Sequence, residues 1–186
     1  MLDLLEEAAR AMERGRPADA ERAASRAKAL APRSTAVREA LGLSLYDLER
    51  FQDALRELQA YRRMSGRPDQ NHIIADCHRA LGSPQKAVPL IRDALKARIP
   101  DKARAESAVV GAAALADLGR FDEAVAILRR FPTKPGTARP HDLRVWYVLG
   151  DVLQRAGRRE EAAEAFRRII QHDPDAFDTA ERLAGL

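Results

Sequence analysis

The chain has 186 residues, 46% hydrophobic and only 5% aromatic, enough apolar material for a buried core but with few of the residues that favour sheets. Its 32 basic residues are spread among 28 acidic ones for a net charge of +4, with no Lys/Arg block of the kind that grips nucleic acid. A single cysteine, Cys77, excludes an internal disulfide, a CxxC redox pair and a multi-cysteine zinc site.

The opening MLDLLEEAAR has neither the positive start nor the apolar centre of a secretory signal. No apolar run approaches the roughly 18 residues of a membrane span. A cytoplasmic location is the expectation. Alanine and leucine recur throughout, which predicts an all-α fold.

Taken in chain order, the sequence repeats. A turn column is filled by Gly15, Glu49, Gly82, Gly119 and Gly157, and five residues later stand Ala20, Ala54, Ala87, Ala124 and Ala162. Both columns step by 34, 33, 37 and 38 residues. Two more columns are apolar almost throughout: Ala24, Leu58, Ile91, Leu128 and Phe166, and Ala11, Leu45, His78, Leu115 and Leu153. A period near 34 with helical spacing in each half predicts a helix, a tight turn and an antiparallel second helix, stacked five times. The expected repeats are 1–34, 35–67, 68–101, 105–138 and 143–176, in one domain, with a capping helix at 177–186. There Ala180, Leu183 and Ala184 continue the columns of Trp146, Leu149 and Gly150.

The small alanines let the two helices approach, the glycines permit a left-handed turn, and Pro32 and Pro174 end second helices. Two joints depart from the period. KARIPDKARAE holds three extra residues, and FPTKPGTARPHD holds four, with Pro132, Pro135, Gly136 and Pro140, predicting a stiff exposed loop over 132–140. Pro89 predicts a kink or a delayed start in its helix.

In the fifth repeat Trp146, Leu149, Gly150, Leu153, Gly157, Ala162, Phe166 and Pro174 resemble the tetratricopeptide repeat (TPR) family almost whole. The second repeat is close. The first and third are worn, with Glu7 and Ala8 at the Leu-Gly pair and His78 in a core column. The resemblance covers about residues 1–176 and implies a right-handed superhelix with a concave groove lined by the first helices. It also implies a protein-interaction adaptor that holds a peptide or helix there.

The groove residues that the resemblance implies are Leu5, Glu13, Glu39, Leu43, Tyr46, Asp47, Asp69, His72, Asp76, Arg79, Glu106, Val109, Asp117, Arg144, Tyr147, Asp151 and Arg155. Eight acids among them face only three arginines in a chain that is basic overall. The N-terminal end adds Leu2 and Met12, and the fourth repeat adds Ala113 and Ala116. A basic or amphipathic partner segment with apolar anchors suits this surface. The two-carboxylate clamp that other members of the family use on acidic chaperone tails is excluded. Leu5 with Ala9, Glu39 with Leu43 and His72 with Asp76 would leave an incoming carboxylate unpaired or repelled.

No phosphate-loop, dinucleotide, metalloprotease or nucleophile-elbow motif occurs, so neither an enzyme nor a cofactor site is expected. His72 and Asp76 lie one helical turn apart and could give two metal ligands from one face, but they should face the groove while His78 lies in a core column, so the four with Cys77 do not converge on a metal. Two alternatives stay open: nucleic-acid association through arginines of the second helices, among them Arg62, Arg63, Arg129, Arg130, Arg158, Arg159, Arg167 and Arg168, and self-association through the oily N-terminal end or the terminal half repeat.

Overall fold

The structure is a computed structural model that describes residues 1–131 and 138–186. Among these residues it holds eleven helices and no strand. They are α1 (Leu2–Glu13), α2 (Pro17–Leu30), α3 (Thr35–Asp47), α4 (Phe51–Ser65), α5 (Asn71–Ala80), α6 (Pro84–Lys96), α7 (Asp101–Asp117), α8 (Phe121–Leu128), α9 (Pro140–Arg155), α10 (Arg159–His172) and α11 (Thr179–Ala184). α1, α3, α5, α7 and α9 each pack antiparallel on the even helix that follows, and the five pairs stack into a right-handed superhelical solenoid closed by α11, which packs on α10.

Local chemistry sets the helix ends. Pro17, Pro84 and Pro140 stand at helix starts, where the missing N–H costs nothing. Ser34 caps α3 by accepting the Val37 N–H, and Asp142 accepts the Arg139 N–H at 2.9 Å to open α9.

Every turn inside a pair is left-handed, with φ of +64° at Gly15, +57° at Glu49, +71° at Gly82, +73° at Gly119 and +77° at Gly157. The following N–H then reaches back to the carbonyl of Ala11, Leu45, His78, Leu115 or Leu153 at 2.8–2.9 Å, the six-to-one bond that closes a helix C-terminus. Glu49 alone makes this turn with a Cβ. Glu49→Gly is therefore expected to raise stability by about 1 kcal/mol, read as an upward shift in urea midpoint at unchanged slope. A lower midpoint would mean that the glutamate side chain contributes more than its strain costs.

The five alanines of the small column are fully buried, and so are Ala24, Leu58, Ile91, Leu128 and Phe166 four residues further on. Contact between paired helices is close enough that a Cβ on Gly150 would stand 2.5 Å from Phe166 Cε1. In the second repeat the core is partly ionic. Arg38 occupies the column of Trp146 and bonds through Nη1 to Glu57 Oε2 at 2.6 Å, and Lys28 Nζ donates to Oε1 at 2.7 Å. Burial alone would raise the Glu57 carboxyl, but the two cations hold it below its usual range.

Four expectations change on meeting the structure. α6 is not delayed: it starts at Pro84 and runs through Pro89. Pro89 is exposed, so water can satisfy the carbonyl left without its N–H. The worn His78 is only half-buried in its core column, and burial lowers its basicity. Of the three capping residues Ala180 and Ala184 are exposed and only Leu183 packs on the core, because α11 is too short to cover that face with every turn. Pro132, Pro135 and Gly136 of the 132–140 loop lie outside the described residues, while Pro140 is the first residue of α9.

Candidate functional site on the first-helix face

Helical spacing puts the columns of Tyr147, Asp151 and Arg155 on one face of each first helix, and stacking brings those faces side by side. Across them runs a chain of polar contacts. Tyr46 Oη donates to Asp76 Oδ2 at 2.6 Å, and Asp76 Oδ1 accepts from Arg79 Nε at 2.9 Å. Arg79 reaches Asp117 at 3.3 Å, and Asp117 also accepts from Arg155 at 3.3 Å. Arg155 lies 3.9 Å from Asp151, whose other oxygen accepts from Arg182 of α11 at 2.8 Å. Arg182 also donates to Gln154 and to Tyr147 Oη at 3.1 Å, and Tyr147 donates to Asp178 at 2.5 Å. The ladder spans α3, α5, α7, α9 and α11.

The ladder is largely internal. Burial and the Asp76 carboxylate push the Tyr46 hydroxyl well above its ordinary range, so it stays a donor at all ordinary pH. Burial opposes the charge on Arg79, but Asp76 and Asp117 outweigh it and raise its basicity further. Glu106 faces Arg144 at 3.4 Å, and Asp69 accepts from Tyr61 Oη at 3.0 Å and faces Arg67 at 2.6 Å. The Tyr61 hydroxyl is pushed up to about 12 by burial and by that carboxylate.

The eight-acid face is therefore not eight available charges. Asp69, Asp76, Glu106, Asp117 and Asp151 are each engaged by an arginine. Glu39 meets only the neutral Gln70 amide at 2.8 Å, and Glu13 and Asp47 form no ion pair among the described residues. Asp47 is exposed, yet partial desolvation by its neighbours still raises its carboxyl. These three acids lie on α1 and α3, beside the half-buried apolar side chains of Leu5, Met12, Leu43 and Tyr46 and the exposed Leu2.

Val109 and Ala116 do not line the surface as expected. Both are buried in the core cluster where α7 packs on α9, more extensively than any other neighbouring first helices, and only Ala113 stays half-exposed. His72 is half-buried with Nδ1 lacking a hydrogen-bond partner, and burial lowers its basicity. Cys77 is buried and its thiol pushed up to about 12 by burial and by Asp76, which makes it an unreactive apolar filler. Among the described residues no cluster of three or more His, Cys, Asp or Glu side chains is placed to hold a metal.

Arg67, Gln70 and Arg182 take part in this face and escape sequence reasoning, because they sit outside its columns and reach in on long side chains; Asp178 stands in the column of Arg144 and was legible there. Arg182 had one usable signal: it stands in the column of Val148, which abuts the preceding repeat. Four of the eight second-helix arginines named above are engaged, Arg62 with Asp93, Arg129 and Arg158 with Glu161, and Arg168 with Glu164.

A stacked helix-pair solenoid with a continuous side-chain face defines a class of repeat proteins whose curvature makes extended concave binding surfaces. A family model described as "Tetratrico peptide repeat" matches residues 72–175, and one described as "Tetratricopeptide repeat" matches residues 5–69. The chain belongs to the tetratricopeptide-repeat family, whose members are generally protein-interaction scaffolds.

Among solved structures, TTC0263, a thermophilic TPR protein from Thermus thermophilus, is 18% identical with TM-score 0.74, covering 99% of this chain and 97% of its own. The MamA protein is 16% identical with TM-score 0.69, covering 97% of this chain and 93% of its own. YrrB, described as a TPR protein with an unusual peptide-binding site, is 18% identical with TM-score 0.65, covering 98% and 91%. No curated protein sequence matches the chain. Among the described residues no helix is long and apolar enough to cross a membrane.

Proposed function

We infer that the chain is an adaptor that seats a segment of another protein in the N-terminal half of the groove lined by its first helices. One observation carries this reading. On α1 and α3, Glu13, Glu39 and Asp47 have no cationic partner among the described residues and stand among Leu5, Met12, Leu43 and Tyr46, whereas Asp76, Glu106, Asp117 and Asp151 are engaged by arginines of the chain itself. A helix with an apolar stripe flanked by Lys or Arg would cover the apolar side chains and supply the absent cations. At the C-terminal end such a segment would first have to displace Arg182.

The test is a pull-down from source lysate with wild type and with Glu39→Lys combined with Asp47→Lys, after thermal melts show that the variant folds. Binding of the captured protein should weaken by at least about tenfold in the variant, and synthetic fragments of it that retain affinity should be basic and amphipathic. Equal capture by both proteins would refute the groove assignment.

A further inference from the structure

We propose a second docking site on the opposite side of the solenoid: a slot between α6 and α8 that takes a short acidic segment of another protein, anchored by an aliphatic side chain. The slot is a concavity of about 450 Å³. Its floor is Val88, Ile91 and Leu95 of α6, Leu115 of α7 and Ile127 of α8. Gly111 stands where Leu41, Ile74 and Leu149 stand in other repeats, and a Cβ there would meet Ile91 Cγ2 at 2.5 Å, so Ile91 of α6 seats directly on the α7 backbone and α7 contributes only Leu115 as a side chain to the lining.

The rim decides the occupant. Arg92, Lys96 and Arg130 line it, and none of them forms an ion pair or side-chain hydrogen bond among the described residues. The one acid on the lining, Glu123, is already held by Arg120 through two bonds of 2.7 and 2.8 Å. Arg92 also acts on Glu123 through space, but all three cations keep donors outside any ion pair, and around an aliphatic floor they suit a Leu or Ile anchor with Asp or Glu on either side. This is the inverse of the charge preferred by the groove. Nucleic acid fits less well, because the lining has no aromatic side chain to stack a base and the floor would bury sugar or phosphate against hydrocarbon.

The experiment uses the full chain and fluorescence anisotropy with four labelled probes of equal length: a peptide with a central Leu pair flanked by Glu and Asp, its copy with the acids replaced by Lys, its copy with the Leu pair replaced by Ser, and oligouridine. The acidic Leu peptide should bind at least about tenfold tighter than the other three. Its affinity should fall about tenfold in Arg92→Glu combined with Arg130→Glu, and also in Ala126→Phe, which fills the slot without changing charge. It should be unchanged in Glu39→Gln with Asp47→Asn, which removes the groove's free acids without adding cations and so separates this site from the groove. Each variant is first checked by thermal melt, and the two slot variants fail independently if one is destabilised. The proposal is overturned if the acidic peptide does not bind, if the Ser copy binds equally, if both folded slot variants retain full affinity, or if oligouridine is the preferred probe.

Discussion

Trp146→Ala is expected to lower stability by about 3–5 kcal/mol, the usual cost of deleting a fully enclosed aromatic side chain. Trp146 is 1% exposed, lies in the core cluster of the last two repeats, meets His172 edge-on at 6.5 Å, and carries the Arg168 guanidinium 5.7 Å from its ring. Stacked repeats touch only their neighbours, so the damage should stay local. Amide exchange should rise steeply in α9, α10 and α11, less in α7 and α8, and little in α1 to α4. A melting temperature within a degree or so of wild type would mean that the assigned repeat register is wrong.

Glu57→Gln is the second large effect, at about 2–3 kcal/mol, and acts at the opposite end. The substitution keeps the shape but leaves Lys28 and Arg38 facing a neutral amide. It falls toward the low end of what breaking a buried pair costs because Lys28 is 34% and Arg38 21% exposed. The pH dependence provides a check. The folded-state carboxyl titrates below its unfolded value, so its contribution is present above the unfolded pKa and is lost as pH falls through the folded one. The wild-type advantage in urea should therefore be full at pH 7 and much smaller at pH 3. An advantage of equal size at both values would assign it to packing of the side chain rather than to its charge.

Much of this fold is legible in the sequence because steric demands are strict. A position that must hold five alanines without solvent, or a turn with positive φ, admits few residue types, and Ala162 and Gly157 advertise their roles directly. Even Glu49, the exception in the turn column, takes the conformation its place requires. The candidate site was less legible. Its columns are readable, but which acids remain available depends on where flexible arginines settle. Arg182 reaches Asp151 and Tyr147 from a segment that sequence reasoning assigned to capping or self-association, not to this face. Val109 was misplaced for another reason: its column faces the groove in other repeats, but the long packing of α7 on α9 encloses it.

The spacing between the left-handed turn and the buried alanine is five residues in all five pairs, while the spacing from one pair to the next varies from 33 to 38. The chain is thus a series of stiff links with adjustable couplings. One residue added within a link would rotate the second helix by about 100° and swing its core side chain into water. The same residue added between links, as at Ala97–Pro100, only resets the angle at which the next link leaves. Changes in length therefore alter the curvature of this molecule without touching what holds each link together.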